Sequence, residues 1–148
     1  MSDDHDPVPG ADGGGDQDLP AMVAQMPFAQ GLGLQLIAAG ADEVTATMAW
    51  APERCTTGGL LHGGALMAMA DSIGAVCAFL NLPPGARTST IESKTNFFRG
   101  IKDGAVHATT HPLHVGRTII VVQTDLVDDR GRRVAQITQT QAVLTPSS

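Results

Sequence analysis

One stretch of this chain concentrates the groups that could do chemistry. Thr56-Thr57-Gly58-Gly59-Leu60-Leu61-His62-Gly63-Gly64 runs straight into the apolar segment 65–80, and Asp71 is the one formal charge between Cys55 and Ala86. A glycine-rich loop that opens a helix offers free N–H groups and a partial positive charge. Gly63 and Gly64 would let an anion, or a carbonyl oxygen becoming anionic, approach those groups closely. A helix apolar on every face must be buried, and a carboxylate in its middle is costly there unless it has a partner or a task. Plain structural readings stand beside these: a helix entrance packed on a sheet, an Asp held by backbone N–H groups, and a His62 that fixes its loop by bonding a carbonyl.

Spacing restricts the options. Gly63 and Asp71 lie about 12 Å apart along a helix axis and on different faces, so within one chain they cannot act on one atom. Either they serve separate tasks, or a second copy of the helix runs antiparallel and brings its Asp71 to this Gly63, which a two-fold dimer does twice.

The elements that would position these groups follow from periodicity. Residues 21–30 suit a short helix interrupted at Pro27, and 33–39 a strand. Residues 43–50 alternate, with Val44, Ala46, Met48 and Trp50 on one face, and pair with the preceding strand across the turn Gly40-Ala41-Asp42. The central helix spans 62–80 and is stopped by Pro83-Pro84-Gly85. Strands are expected over 87–98, 105–115, 117–127 and 132–144, with Asp128-Asp129-Arg130-Gly131 as a hairpin turn. The order β-β-α-β-β-β-β predicts an α+β fold, one helix against an antiparallel sheet of five to six strands. The sheet edges then need pairing, which favours a dimer.

Composition excludes several classes. At 148 residues, 43% hydrophobic and 16% charged, the chain reads as one soluble domain. The net charge of −6 belongs to a tail: residues 1–18 hold six Asp and no Lys or Arg. That leaves nine acids against nine bases, without the basic stripe that nucleic-acid binding needs. Residues 1–19 read as a disordered acidic tail and 20–148 as the folded domain. Cys55 and Cys77 lack the spacing of a zinc or redox motif and point to a reducing cytoplasm. A membrane span over 60–80 would place Asp71 mid-bilayer at a cost of roughly 2.5–3.5 kcal/mol, so no membrane association is expected. His107 and His111, on one face of a strand, stand roughly 13 Å apart, too far for one metal ion.

The run Gly59-Leu60-Leu61-His62-Gly63-Gly64, followed by seven residues ending at Asp71, resembles the hotdog-fold acyl-CoA thioesterases of the phenylacetate-degradation subgroup. Thr90 to Arg99 is similar to their strand after the helix, Val115-Gly116-Arg117-Thr118 to their next turn, and Asp129-Arg130-Gly131 with Val134-Ala135 to their final hairpin. The resemblance covers roughly residues 28–145 and implies a hotdog fold that hydrolyses acyl-CoA as a dimer or dimer of dimers, without metal or other cofactor. It implies that the Gly63 N–H polarises the thioester carbonyl. Asp71 of the partner subunit would serve as general base or nucleophile, His62 would orient the thioester or loop, and the Thr90 hydroxyl would help place water. Thr56 stands where many relatives carry Asn, which leaves room for a non-catalytic acyl-CoA or small-ligand binding module. A dehydratase or hydratase would carry its His and acid in other motifs. The substrate's phosphates call for bases, and Arg87, Lys94, Arg99, Lys102 and Arg117 are the candidates, with Gly64 at the helix start; Arg130, Arg132 and Arg133 sit at the last hairpin.

Overall fold

The structure, a computed structural model, describes residues 17–147. Two short helices come first, α1 (Leu19–Ala24) and α2 (Pro27–Leu32). The Asp18 carboxylate accepts the Ala21 N–H at 3.1 Å and caps α1, Pro27 opens α2, and Gly33 closes it at φ +83°. Asp18 and Leu19, at the end of the expected tail, belong to a capped helix; the rest of that tail, residues 1–16, lies outside the described residues. The single interrupted helix expected over 21–30 is two helices.

There follow β1 (Gln35–Ala39), β2 (Val44–Ala49), the central helix α3 (Gly63–Leu80), β3 (Arg87–Phe97), β4 (Ala105–Val115), β5 (Ile119–Val127) and β6 (Arg133–Leu144). All pairings are antiparallel, in the order β1-β2-β4-β5-β6-β3. The strands after the helix are thus not a simple meander. α3 crosses the concave face of the sheet, so the chain emerges at the far side and β3 pairs with β6, leaving β3 as an edge.

The core lies between α3 and that face. Val44, Ala46 and Met48 of β2, Val106 of β4, Ile120, Val122 and Leu126 of β5 and Ile137 of β6 are buried with Met69, Ile73 and Cys77 of α3. Full burial of such a side chain is worth about 1.5–3 kcal/mol. Burial pushes the Cys77 thiol up to about 11, and the nearby Asp42 charge adds to it, so this cysteine is no nucleophile. α3 is long and apolar enough to cross a bilayer by length and composition, but here it is the core helix of the sheet.

Turns are held by side chains. His107 Nε2 lies 2.7 Å from Asp129 Oδ1, and His111 Nδ1 3.0 Å from the Asp42 carbonyl oxygen, so each histidine ties β4 to a neighbouring turn. Asp128 closes the β5–β6 turn by accepting from the N–H groups of Arg130 and Arg132 and from the Arg132 guanidinium. Burial would raise the Asp128 carboxyl, but these hydrogen bonds outweigh it and hold the group below the ordinary carboxylate value of 3.8. Its stabilisation is complete above the unfolded value and is lost as pH falls through the lower folded one. Asp128→Asn should accordingly flatten the decline of Tm between about pH 5 and about pH 2, measured by thermal melts across that range.

Candidate active site

The loop before α3 is pinned on several sides. Thr56 N–H donates to Leu60 O (2.8 Å), Gly59 N–H to Thr56 O (3.1 Å), Leu61 N–H to Ile101 O (2.9 Å) and His62 N–H to Arg54 O (2.8 Å). The Trp50 indole N–H donates to Gly59 O at 2.9 Å. Gly59 sits at φ +74°, where a side chain would be strained. Thr56 Oγ1 accepts the Gly58 N–H at 3.3 Å, so this exposed hydroxyl is engaged within its own turn.

His62 is the N-cap of α3, and its Nδ1 accepts the Gly64 N–H at 2.7 Å. It bonds a backbone donor where a carbonyl partner was expected, and the neutral ring then carries its proton on Nε2. The Gly64 N–H, expected to face a ligand, is engaged by this cap; a Cβ at Gly64 would come within 2.8 Å of the same ring nitrogen. Ala65 and Leu66 N–H both donate to His62 O. Of the first-turn donors, the Gly63 N–H alone has no acceptor among the described residues. The Phe97 ring lies where a Gly63 side chain would be, 3.1 Å from an ideal Cβ.

Asp71 departs from the expectation of a buried carboxylate. It is exposed in the single chain, on a stripe of α3 with Gly64, Met67 and Phe79 that the sheet leaves uncovered. The sheet has one concave face and can cover only one side of the helix. Asp71 Oδ1 accepts from Thr90 Oγ1 at 3.0 Å and from Gln139 Nε2 at 2.8 Å, while Oδ2 takes no hydrogen bond among the described residues. Gln141 Nε2 donates in turn to Thr90 Oγ1 at 2.8 Å.

A bulge builds this cluster. The β3–β6 register shifts between Thr90 and Glu92, with Ile91 as the extra residue. Thr90 faces the helix before the bulge; after it the phase changes, and Ser93 lines the same small cleft as Met67, Ala68, Asp71 and Thr90. The Ser93 hydroxyl is buried without a partner among the described residues. Ser93, Gln139 and Gln141 were not read from the sequence. The two glutamines are fully buried in phase with Ile137 on β6, and that phase was the available signal.

The basic candidates separate. Arg99 and Lys102 line a cleft of about 370 Å³ with Arg130 and Arg132, and with the acids Asp103, Asp128 and Asp129, and the Leu61–Ile101 bond sets it beside the entrance of α3. Arg132 is paired with Asp128 at 2.8 Å. Arg87 pairs in register with Leu144, and Thr118, next to Arg117, bonds Val143, so both arginines lie at the end of the sheet away from Phe97 and Gly63. Lys94 alternates with Ser93 and Thr95 and stands exposed on the outer face of β3. The Gly63 N–H and the Asp71 carboxylate therefore occupy two places about 12 Å apart on one helix.

The chain has known relatives. Residues 58–135 match the family model described as the thioesterase superfamily. The chain belongs to the thioesterase superfamily. It is 33% identical over 105 residues to the 1,4-dihydroxy-2-naphthoyl-CoA hydrolase of Escherichia coli K12, an alignment covering 71% of this chain and 77% of that one. A solved thioesterase from Pseudomonas aeruginosa superposes with TM-score 0.82 at 28% identity, covering 88% of this chain and 96% of that one. The phenylacetic acid degradation protein PaaI of Thermus thermophilus gives TM-score 0.72 at 25% identity over 78% of this chain and 97% of that one. The fold is the hotdog fold, PaaI-like, and the thioesterase is a thioester hydrolase by class.

Proposed function

We propose that this thioesterase hydrolyses acyl-coenzyme A at composite sites across a two-fold dimer. The observation that carries the reading is the uncovered stripe of α3, where Asp71 presents a free carboxylate oxygen about 12 Å along the axis from the unpaired Gly63 N–H. β3 is an eleven-residue edge strand whose outer side is unpaired among the described residues, and its Ile91 and Phe97 are more than half exposed. Such an edge invites pairing. Pairing β3 with its symmetry mate makes one continuous sheet and lays the two α3 helices antiparallel, with Met67 midway between Gly63 and Asp71 at the axis. Each Gly63 then meets the partner subunit's carboxylate.

In this site the Gly63 N–H stabilises the oxyanion that forms as the thioester carbonyl is attacked. Asp71 takes the proton from attacking water, or attacks the carbonyl itself. The C–S bond breaks and the coenzyme thiol leaves. Two surroundings support the substrate class. Arg99, Lys102 and Arg130 beside the helix entrance suit the phosphates. Beyond Asp71, a cleft of about 610 Å³ lined by Met22, Met26, Ala75, Val76, Phe79 and Leu80 suits an apolar or aromatic acyl group. Met26 lines that cleft, whereas Phe28 is 72% exposed. The Escherichia coli relative's name, a naphthoyl-CoA hydrolase, agrees with an aromatic acyl group.

A thiol-release assay across short, medium and aromatic acyl-CoAs, with the matching acyl-pantetheines, tests the reading. Turnover is expected for apolar acyl-CoAs, at about tenfold or more higher kcat/KM than for the pantetheine esters, which lack the nucleotide phosphates. Binding without thiol release would sink the enzymatic reading, and equal rates on both thiol carriers would remove the phosphate contacts.

A further inference from the structure

We propose that Gln139, seated against Gly74, is a positioning residue that decides which oxygen of Asp71 reacts: Oδ1 is held, and Oδ2 is the working oxygen. The inference rests on the reading that Asp71 acts on the thioester. Gln139 is fully buried on β6. Its Nε2 donates to Asp71 Oδ1 at 2.8 Å and lies 3.5 Å from the Asp71 carbonyl oxygen. Its Oε1 is buried with no donor among the described residues. Turning the amide over would set that oxygen against the carboxylate, so the charge of Asp71 dictates the orientation and the amide leaves its own carbonyl unpaired. An apolar side chain would fill this position without that cost. Gly74 makes the arrangement possible, because a Cβ there would run into Gln139 Oε1.

Thr90 completes the clamp, and its direction is determined. Thr88 Oγ1 donates to Gln141 Oε1 at 3.0 Å, which turns Gln141 Nε2 toward Thr90 Oγ1 at 2.8 Å. The Thr90 hydroxyl accepts there, and its single proton goes to Asp71 Oδ1 at 3.0 Å. Thr90 therefore holds the carboxylate, a task different from the water placement that the resemblance implied. Two donors on one oxygen stop the carboxylate from rotating and keep Oδ2 turned to the cleft with Met67 and Ser93.

The test uses the full chain with an acyl-CoA substrate that the wild type turns over. Gln139→Met keeps the volume but removes the donor; Gly74→Ala pushes the amide away while favouring the helix. Each is expected to lower kcat about 10–100-fold with KM within about twofold, and the double variant to be no worse than Gln139→Met alone. Thermal melts establish that the variants are folded, and if Gln139→Met fails to fold, Gly74→Ala carries the kcat measurement. Wild-type kcat in a folded single variant, losses confined to KM, or losses that multiply in the double variant would overturn the proposal. An active Asp71→Asn would instead overturn the reading beneath it, so the two failures are told apart.

Discussion

Asp71→Asn is expected to lower kcat for acyl-CoA hydrolysis by about 10³-fold, the scale of a lost general base, with little change in Tm. The substitution is nearly isosteric. Its amide oxygen can still accept from Thr90 Oγ1 and Gln139 Nε2, which today hold Oδ1 at 3.0 and 2.8 Å. What disappears is the charged second oxygen, which takes no hydrogen bond among the described residues. Because both donors keep an oxygen acceptor, the buried Gln139 amide is not left without its partner, and the loss in Tm is small. Steady-state kinetics with a melt on the same sample checks both halves. A single turnover in ¹⁸O-labelled water then separates the two roles of the carboxylate. A general base leaves the label in the product acid, whereas a nucleophile regenerated by attack on its own carbonyl carries it into the Asp71 side chain.

Gly63→Pro is expected to cost about 10²-fold or more in kcat by deleting one oxyanion donor while sparing the helix. Position 63 is the first helical residue, where proline is favoured because its missing N–H has no intrahelical partner. His62 precedes it at φ −63°, ψ 134°, a conformation that suits a residue before proline. The exposed Phe97 ring, 3.1 Å from an ideal Cβ at this position, must yield by a few tenths of an ångström. The two inactive variants together test the composite site. In a dimer of one Asp71→Asn chain and one Gly63→Pro chain, one site joins an intact Gly63 to an intact Asp71. Random reassociation of equal amounts should restore about a quarter of wild-type activity, since half the dimers are mixed and each has one working site of two. Absence of any recovery in verified mixed dimers would place both groups in separate sites within each chain.

The strand–strand–helix–strand order and the position of α3 were legible in the sequence because they depend on short-range patterns. Val44, Ala46 and Met48 alternate, as do Ile120, Val122, Thr124 and Leu126, and all are buried. Proline and glycine punctuate the ends of α3 and the hairpins. The loop–helix junction around His62 was legible for the same reason, since free N–H groups at a helix start are a property of the helix itself. Even the separation of Gly63 and Asp71 follows from helical rise alone.

What the sequence did not show depends on long-range placement. The position of β3 beyond β6, reached because α3 crosses the whole sheet, makes it an edge and leaves one stripe of the helix bare. The bulge at Ile91 defeats two-residue alternation and turns Thr90 and Ser93, three apart, toward one cleft. Gln139 and Gln141 are polar residues in a polar-looking strand, and only the pairing of β6 with β3 under α3 makes them buried partners of Asp71 and Thr90. The cap by His62 reduced the helix entrance from several free donors to the Gly63 N–H. The sequence by itself determined the chemical groups and the helix that separates them. Tertiary structure decided which N–H is free, which carboxylate oxygen is held and which face is left open, because each depends on contacts between residues distant in the chain.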